Sequence, residues 1–270
     1  MPSMRYALPL RDQAARWLAQ AKPAALVTVS DFKGSVPRET GTRMLVAADQ
    51  VLGTIGGGHL EKIAIDEART LLQGGTAHER HFPLGPALGQ CCGGAVTLRF
   101  EPLSADSLAA WPEAPVRFHL QLYGAGHVGR AIVRLLEGIP DCRVQWIDER
   151  EEEFPREPSA SHIERVCVEP VEAEVRVAPP NAHYLVLTHS HDLDMRISEA
   201  ILKRGDFAFF GLIGSQTKRA RFIHRFEARG IAPEAIERMT CPIGVPGITG
   251  KEPEVIAIAV VAQLLQQAAG

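Results

Sequence analysis

Apolar and polar positions along this chain follow two regimes. In the first, short alternating runs mix with two helical stretches. Pro9 to Gln20 carries a helical spacing that stops before Pro23, and Ala24 to Ser30 reads as a strand. Met44 to Ala47 and Gln50 to Thr54 read as a hairpin around Ala48-Asp49. Leu60, Ile63, Ala64, Ala68, Leu71 and Leu72 line one face of a helix over 60–72, with Gly74 placed to cap it. Ala95 to Phe100 closes this half as a strand.

In the second regime strand and helix alternate. Val116 to Tyr123 reads as a strand, a helix runs from Arg130 to about Glu137, and Arg143 to Ile147 is a strand ending in Asp148. A strand at 184–187, a helix at 192–204 capped by Gly205, a strand at 208–213 and a helix at 217–228 follow. A last helix starts at Pro253 and is apolar on nearly every face, which requires burial on more than one side, by another domain or a second subunit. The alternation predicts a Rossmann-like, doubly wound parallel-sheet domain preceded by a small α+β domain, hence an α/β chain. Ser104 to Pro115 carries two prolines and little periodicity. The expected division is an N-terminal domain 1–103, a linker 104–115 and a nucleotide-binding domain 116–270.

The bulk properties narrow the function. The net charge of −3 over 270 residues argues against a nucleic-acid binder. The longest apolar run, Val255 to Leu265, is too short for a membrane span, and no secretory opening is visible. Five cysteines without framework spacing suit a reduced, cytoplasmic protein.

The chemistry concentrates in a few loops. Gly124-Ala125-Gly126-His127-Val128-Gly129 follows a strand and opens a helix, and Asp148 ends the next strand. This is the nucleotide-binding βαβ pattern: Gly124 for the turn, Gly126 for phosphate approach, Gly129 for close packing, Asp148 for a ribose hydroxyl. Cys91-Cys92-Gly93-Gly94 places two thiols side by side. Adjacent Cα atoms lie about 3.8 Å apart, below the roughly 4.4 Å of ordinary disulfides, so the pair reads as thiols suited to a soft metal or as small buried hydrophobes.

Thr188-His189-Ser190-His191-Asp192-Leu193-Asp194 resembles a metal-hydrolase loop, or a capped helix start lining a cofactor crevice. Gly214, Ser215, Lys218 and Arg219 read as a phosphate or carboxylate cradle, or as a solvated basic helix start. Gly56-Gly57-Gly58 with His59 and Glu61 implies close backbone approach to a ligand, a partner or a neighbouring loop.

Together, GSVPRETGTRMLV, GTIGGGHLE, GQCCGG, LYGAGHVGRA, THSHDLD, GLIGSQTKR and CPIG occur in this order. The set resembles the xanthine dehydrogenase accessory proteins, the XdhC/CoxI family, over nearly the whole chain. The resemblance implies an XdhC/CoxI-type N-terminal domain and a non-enzymatic chaperone for the molybdenum cofactor (molybdopterin). Such a chaperone protects the sulfurated cofactor and inserts it into apo xanthine dehydrogenase or a related molybdoenzyme. It implies a cysteine desulfurase as partner and a homodimer. Carried onto this sequence, it makes Cys91 or Cys92 the contact to molybdenum or its sulfur. The cofactor-binding set is then Cys91, Cys92, Gly124, Gly126, His127, Gly129, Asp148, His189, His191, Gly214, Ser215, Lys218 and Arg219. The alternatives are an NAD(P)-dependent oxidoreductase using the Rossmann pocket and a metal-dependent hydrolase at the His189–Asp194 loop.

Overall fold

The computed structural model describes residues 9–84, 94–112 and 115–268. It forms two compact units, with the described residues up to 112 in one and those from 115 onward in the other.

The first unit is built on a five-stranded antiparallel sheet. Its strands are β1 (Ala24–Lys33), β2 (Arg43–Ala47), β3 (Val51–Gly53), β4 (His78–Pro83) and β5 (Ala95–Pro102), in the order β3-β2-β1-β5-β4. The period of two sorts β1 cleanly. Ala25, Val27 and Val29 join Leu60, Ala64, Ala68 and Leu71 of α2 (Gly58–Leu71) on one face. Ala24 and Leu26 join Ala14 and Trp17 of α1 (Leu10–Ala19) and Trp111 on the other.

Two elements escaped the hydrophobic pattern. In β4, only Phe82 is buried, because an edge strand can stay polar. Within the expected linker, Ala105–Ala109 forms a short helix, α3. Its start is fixed by reciprocal hydrogen bonds: the Ser107 N–H donates to Ser104 Oγ at 3.1 Å and the Ser104 N–H donates to Ser107 Oγ at 2.8 Å. Serine stands where such a box usually carries Glu or Gln, and five residues are too few to show a period.

The second unit is a six-stranded parallel sheet. Its strands are β6 (Phe118–Tyr123), β7 (Cys142–Asp148), β8 (Ile163–Cys167), β9 (His183–Val186), β10 (Phe209–Leu212) and β11 (Met239–Thr240). The order β11-β10-β9-β6-β7-β8 is that of the doubly wound dinucleotide-binding fold, reversing between β6 and β9. Helices α4 (His127–Leu136) and α8 (Pro253–Gln267) cover one face. Helices α5 (His191–Arg204) and α6 (Gln216–Ala228), α7 (Pro233–Glu237) and a 3-10 segment at Val171–Arg176 cover the other.

The all-round apolar last helix finds its burial within its own unit. Ala257, Val260 and Leu264 pack in the same core as Ala131, Ile132 and Leu136 of α4, while Ile258 is 52% exposed. Between β7 and β8 the crossover contains a three-residue 3-10 turn, Glu151–Glu153, where such folds usually place a helix. The opposite face of the sheet, beside the 3-10 segment at Val171–Arg176, carries a polar row. Gln121 Nε2 donates to Gln145 Oε1 at 2.9 Å, and Gln145 Nε2 donates to Glu164 Oε2 at 3.4 Å.

Candidate functional site at the carboxyl ends of the central strands

In open parallel sheets, ligands bind beyond the carboxyl ends of the strands, where the strand order reverses. Here the loops after β6 and β9 flank that point. The three glycines of the first loop have separate reasons. Gly124 has φ +118°, and a Cβ there would run into the Leu187 carbonyl oxygen. A Cβ on Gly129 would run into the Gly124 carbonyl oxygen, so α4 can approach the turn only without a side chain. A Cβ on Gly126 would meet no atom within 4 Å. Among the described residues nothing demands glycine there. Gly126 is the N-cap of α4 without a side-chain cap, and the first turn of the helix has no acidic residue. The leading N–H groups of α4 thus lack both intrahelical partners and a side-chain cap, with exposed His127 beside them.

Asp148 does not present a free carboxylate to a ribose. It is 5% exposed. Oδ2 accepts from the Ala125 N–H at 2.7 Å and from Arg150 Nη2 at 3.0 Å. Oδ1 accepts from the Arg150 N–H and from Arg150 Nε, each at 3.0 Å. Burial pushes this carboxyl up, but the hydrogen bonds from Arg150 and the Ala125 N–H hold it below the ordinary value of 3.8. Arg150 also donates to Glu153 at 3.2 Å, and Glu153 accepts from Arg130 of α4 at 3.0 Å. The acid at the end of β7 thus pins the glycine turn from behind.

The histidine loop splays. Ser190 caps α5 by accepting from the Leu193 N–H at 3.4 Å. His189 is exposed and leans toward Glu149, with Nε2 3.7 Å from its carboxylate. Asp192 is 92% exposed, and Asp194 is buried. Among the described residues no group of three or more His, Cys, Asp and Glu gathers as a metal site. The hydrolase reading therefore lacks its ligand set there.

Asp194 instead closes a buried network. Lys218 Nζ donates to Asp194 Oδ2 at 2.6 Å and to the Ile213 carbonyl at 2.8 Å. Asp194 Oδ1 accepts from the Thr188 N–H at 3.0 Å and from Thr188 Oγ1 at 2.7 Å. A Cβ on Gly214 would lie 2.6 Å from Lys218 Cδ. Gly214 is there to let the lysine stem cross the turn, which differs from the expected cradle for a phosphate. Ser215 caps α6, accepting from the Lys218 N–H at 3.2 Å. A cavity of about 470 Å³ opens between these loops. Arg221 and Arg225, one helical turn apart, line it, whereas Arg219 does not. The i, i+3, i+4, i+7 spacing of Lys218, Arg221, Phe222 and Arg225 is the signal that identifies that face.

Comparison with known proteins decides the family. Residues 120–264 match the description "XdhC Rossmann domain", and residues 17–83 match "XdhC and CoxI family". The chain belongs to the XdhC and CoxI family. An uncharacterized protein, YqeB, of Escherichia coli (strain K12) is 32% identical over 267 residues, covering 94% of this chain and 45% of that protein. The chain therefore spans about half the length of that relative. A Bacillus halodurans structure titled as a xanthine dehydrogenase shares the fold, with a TM-score of 0.75 at 19% identity over 96% of this chain and 95% of that one.

Within this XdhC-family chain, the cysteine pair Cys91-Cys92 lies outside the described residues. Its flanks are placed: the Leu84 N–H donates to the Gly94 carbonyl at 2.8 Å, closing β4 onto β5. The triple-glycine loop is locally explained. Gly56, Gly57 and Gly58 all have positive φ, and Glu61 Oε2 accepts from Thr54 Oγ1 and from the N–H groups of Ile55 and Gly57. Glu61 therefore organises its own helix entry, and His59 stays exposed. No helix among the described residues is long and apolar enough to cross a membrane.

Proposed function

We propose that this protein is a chaperone for the molybdenum cofactor. It binds molybdopterin in its sulfurated form, shields it, and delivers it to apo xanthine dehydrogenase or a related molybdoenzyme, with a cysteine desulfurase as a second partner. In this reading it acts in the cytoplasm, as a homodimer, and catalyses no reaction itself. The observation that carries the reading is the glycine turn in a chain of the XdhC and CoxI family. No described residue requires a glycine at 126, yet it leaves the uncapped start of α4 open to a phosphate. The residues present fit the phosphate end of such a cofactor. The molybdenum and its sulfur ligand supply redox chemistry once in the target enzyme; here Cys91 and Cys92 would hold that end by soft thiolate contact.

The chain's own residues supply rigidity. Asp148 fixes the Ala125 N–H, so the turn is in place before the ligand arrives and little ordering is lost on binding. The same contact weakens the oxidoreductase alternative. An NAD ribose would have to displace Arg150 from a carboxylate whose acceptor positions are filled, and a 2′-phosphate would find Arg150 already held by Asp148 and Glu153.

The test is to purify the protein from cells making molybdenum cofactor and to measure bound pterin and molybdenum together. Wild type should carry both in stoichiometric amounts. Gly126→Val should fold and lose pterin, and Cys91→Ala/Cys92→Ala should lose molybdenum. A wild type without pterin, beside a known cofactor binder that carries it, would overturn the proposal. A double cysteine variant that loads as well as wild type would overturn the metal-end assignment.

A further inference from the structure

We infer that the cavity between the β9 and β10 loops is an anion site in its own right, taking a phosphate monoester held chiefly by Arg221 and Arg225. It is separate from the glycine turn. The turn follows β6 and opens α4 on one face of the sheet, whereas Gly214-Ser215 follows β10, two strands away, and opens α6 on the other face. The inference stands whether or not the glycine turn holds a cofactor.

Three features converge on it. The first is charge. Lys218, Arg221 and Arg225 line the cavity against two carboxylates, Asp192 and Asp194. The Lys218–Asp194 pair is internally neutralised and buried, with the lysine side chain 11% and the aspartate 2% exposed. Asp192 is 92% exposed and reaches Arg225 only at 3.9 Å, a contact that contributes little in water. Arg221 lines the cavity from an exposed position and has no ion-pair partner among the described residues. Two guanidinium groups are thus left for a ligand, from adjacent turns of α6.

The second feature is the donor supply. Helices α5 and α6, of 14 and 13 residues, both begin at this cavity, and Ser215 and Thr217 add hydroxyl groups. Donors arriving from several directions suit the three oxygens of a tetrahedral dianion better than a planar carboxylate. The third is rigidity and size. Thr188, Asp194, Lys218 and the Ile213 carbonyl tie the two loops into one wall. Phe222 and Ile213 give that wall an apolar portion, and about 470 Å³ suits a small organic phosphate.

The experiment titrates phenyl phosphate, inorganic phosphate and benzoate into the full-length, nitrogen-15-labelled protein and follows the backbone amides. Phenyl phosphate should give saturable shifts at Gly214–Arg225 and bind more tightly than benzoate. Arg221→Ala/Arg225→Ala should keep the wild-type spectrum elsewhere and weaken binding at least about tenfold. Arg219→Ala should bind as wild type, and Asp192→Asn should bind a few-fold more tightly. The inference fails if wild type shows no saturable shifts at 214–225. It fails equally if the double arginine variant binds unchanged, if shifts are confined to Gly124–Val128, or if benzoate binds as well as phenyl phosphate.

Discussion

His183, at the start of β9, should make this protein acid-sensitive in a way that can be calculated. Its ring is 4% exposed and sits beside the rings of Phe118 and Phe209, with centroids 5.2 and 6.1 Å away. Neither ring nitrogen has a hydrogen-bond partner. Burial alone lowers its pKa from 6.5 to about 4. The folded protein therefore holds the ring neutral while the unfolded chain takes up a proton, so stability is lost as the pH falls from 6.5 toward 4. With those two values, the loss between about pH 7 and about pH 5 comes to roughly 2 kcal/mol, a large share of a typical domain stability. His183→Phe removes the titration while keeping an aromatic ring in an aromatic slot. Hydrogen exchange of the β6 and β9 amides, measured at both pH values, should show wild type losing about 2 kcal/mol more than the variant. Equal losses in the two proteins, or a ring that titrates near 6.5 by NMR, would refute the reasoning.

Other predictions concern the loops. Gly129→Ala should destabilise the second unit by about 3 kcal/mol or more, because its methyl group strikes the Gly124 carbonyl, whereas Gly126→Ala should stay within about 0.5 kcal/mol of wild type in thermal unfolding. Lys218→Met should cost about 3–5 kcal/mol in urea unfolding, leaving Asp194 buried and unpaired, and Asp194→Asn in the same chain should recover part of that. Asp148→Asn should destabilise by about 1–3 kcal/mol, since it weakens the bonds from Arg150, and the difference from wild type should shrink as the pH falls from the ordinary carboxylate value of 3.8 to the depressed pKa of Asp148, because the unfolded chain takes up the proton first.

Much of the fold was legible because the second half writes its period plainly. The strands expected at 116–123 and 143–147, the helix capped by Gly205 and the helix expected over 217–228 follow from apolar spacing and caps, and they form at 118–123, 142–148, 191–204 and 216–228. The elements that stayed hidden are edge strands and short helices. β8 alternates with polar side chains at a sheet edge, β11 has two residues, and α3 is defined by two serines and no period. The candidate site was legible by location and less so by role. Composition identified the cation-rich loop after β10 but favoured Lys218 and Arg219, because charge in a sequence does not reveal which charge is already neutralised by the neighbouring helix. Likewise Asp148 stands where a ribose acceptor is expected, and only the folded chain brings Arg150 and the Ala125 N–H onto it. Glycine counts mislead in the same way, since the run Gly56–Gly58 is satisfied by Glu61 at the start of its own helix.

The three glycines of the first turn also keep a historical record. Gly124 and Gly129 are held by the turn itself, so any descendant that folds must retain them. On the proposed function Gly126 is held by the ligand in front of it, since no described residue would oppose a side chain there. A lineage that abandoned its ligand could therefore lose the middle glycine while keeping the outer two. In a related sequence the pattern G-x-A or G-x-S at this turn, with the third glycine intact, would mark a domain that still folds as this one does but no longer binds the proposed ligand.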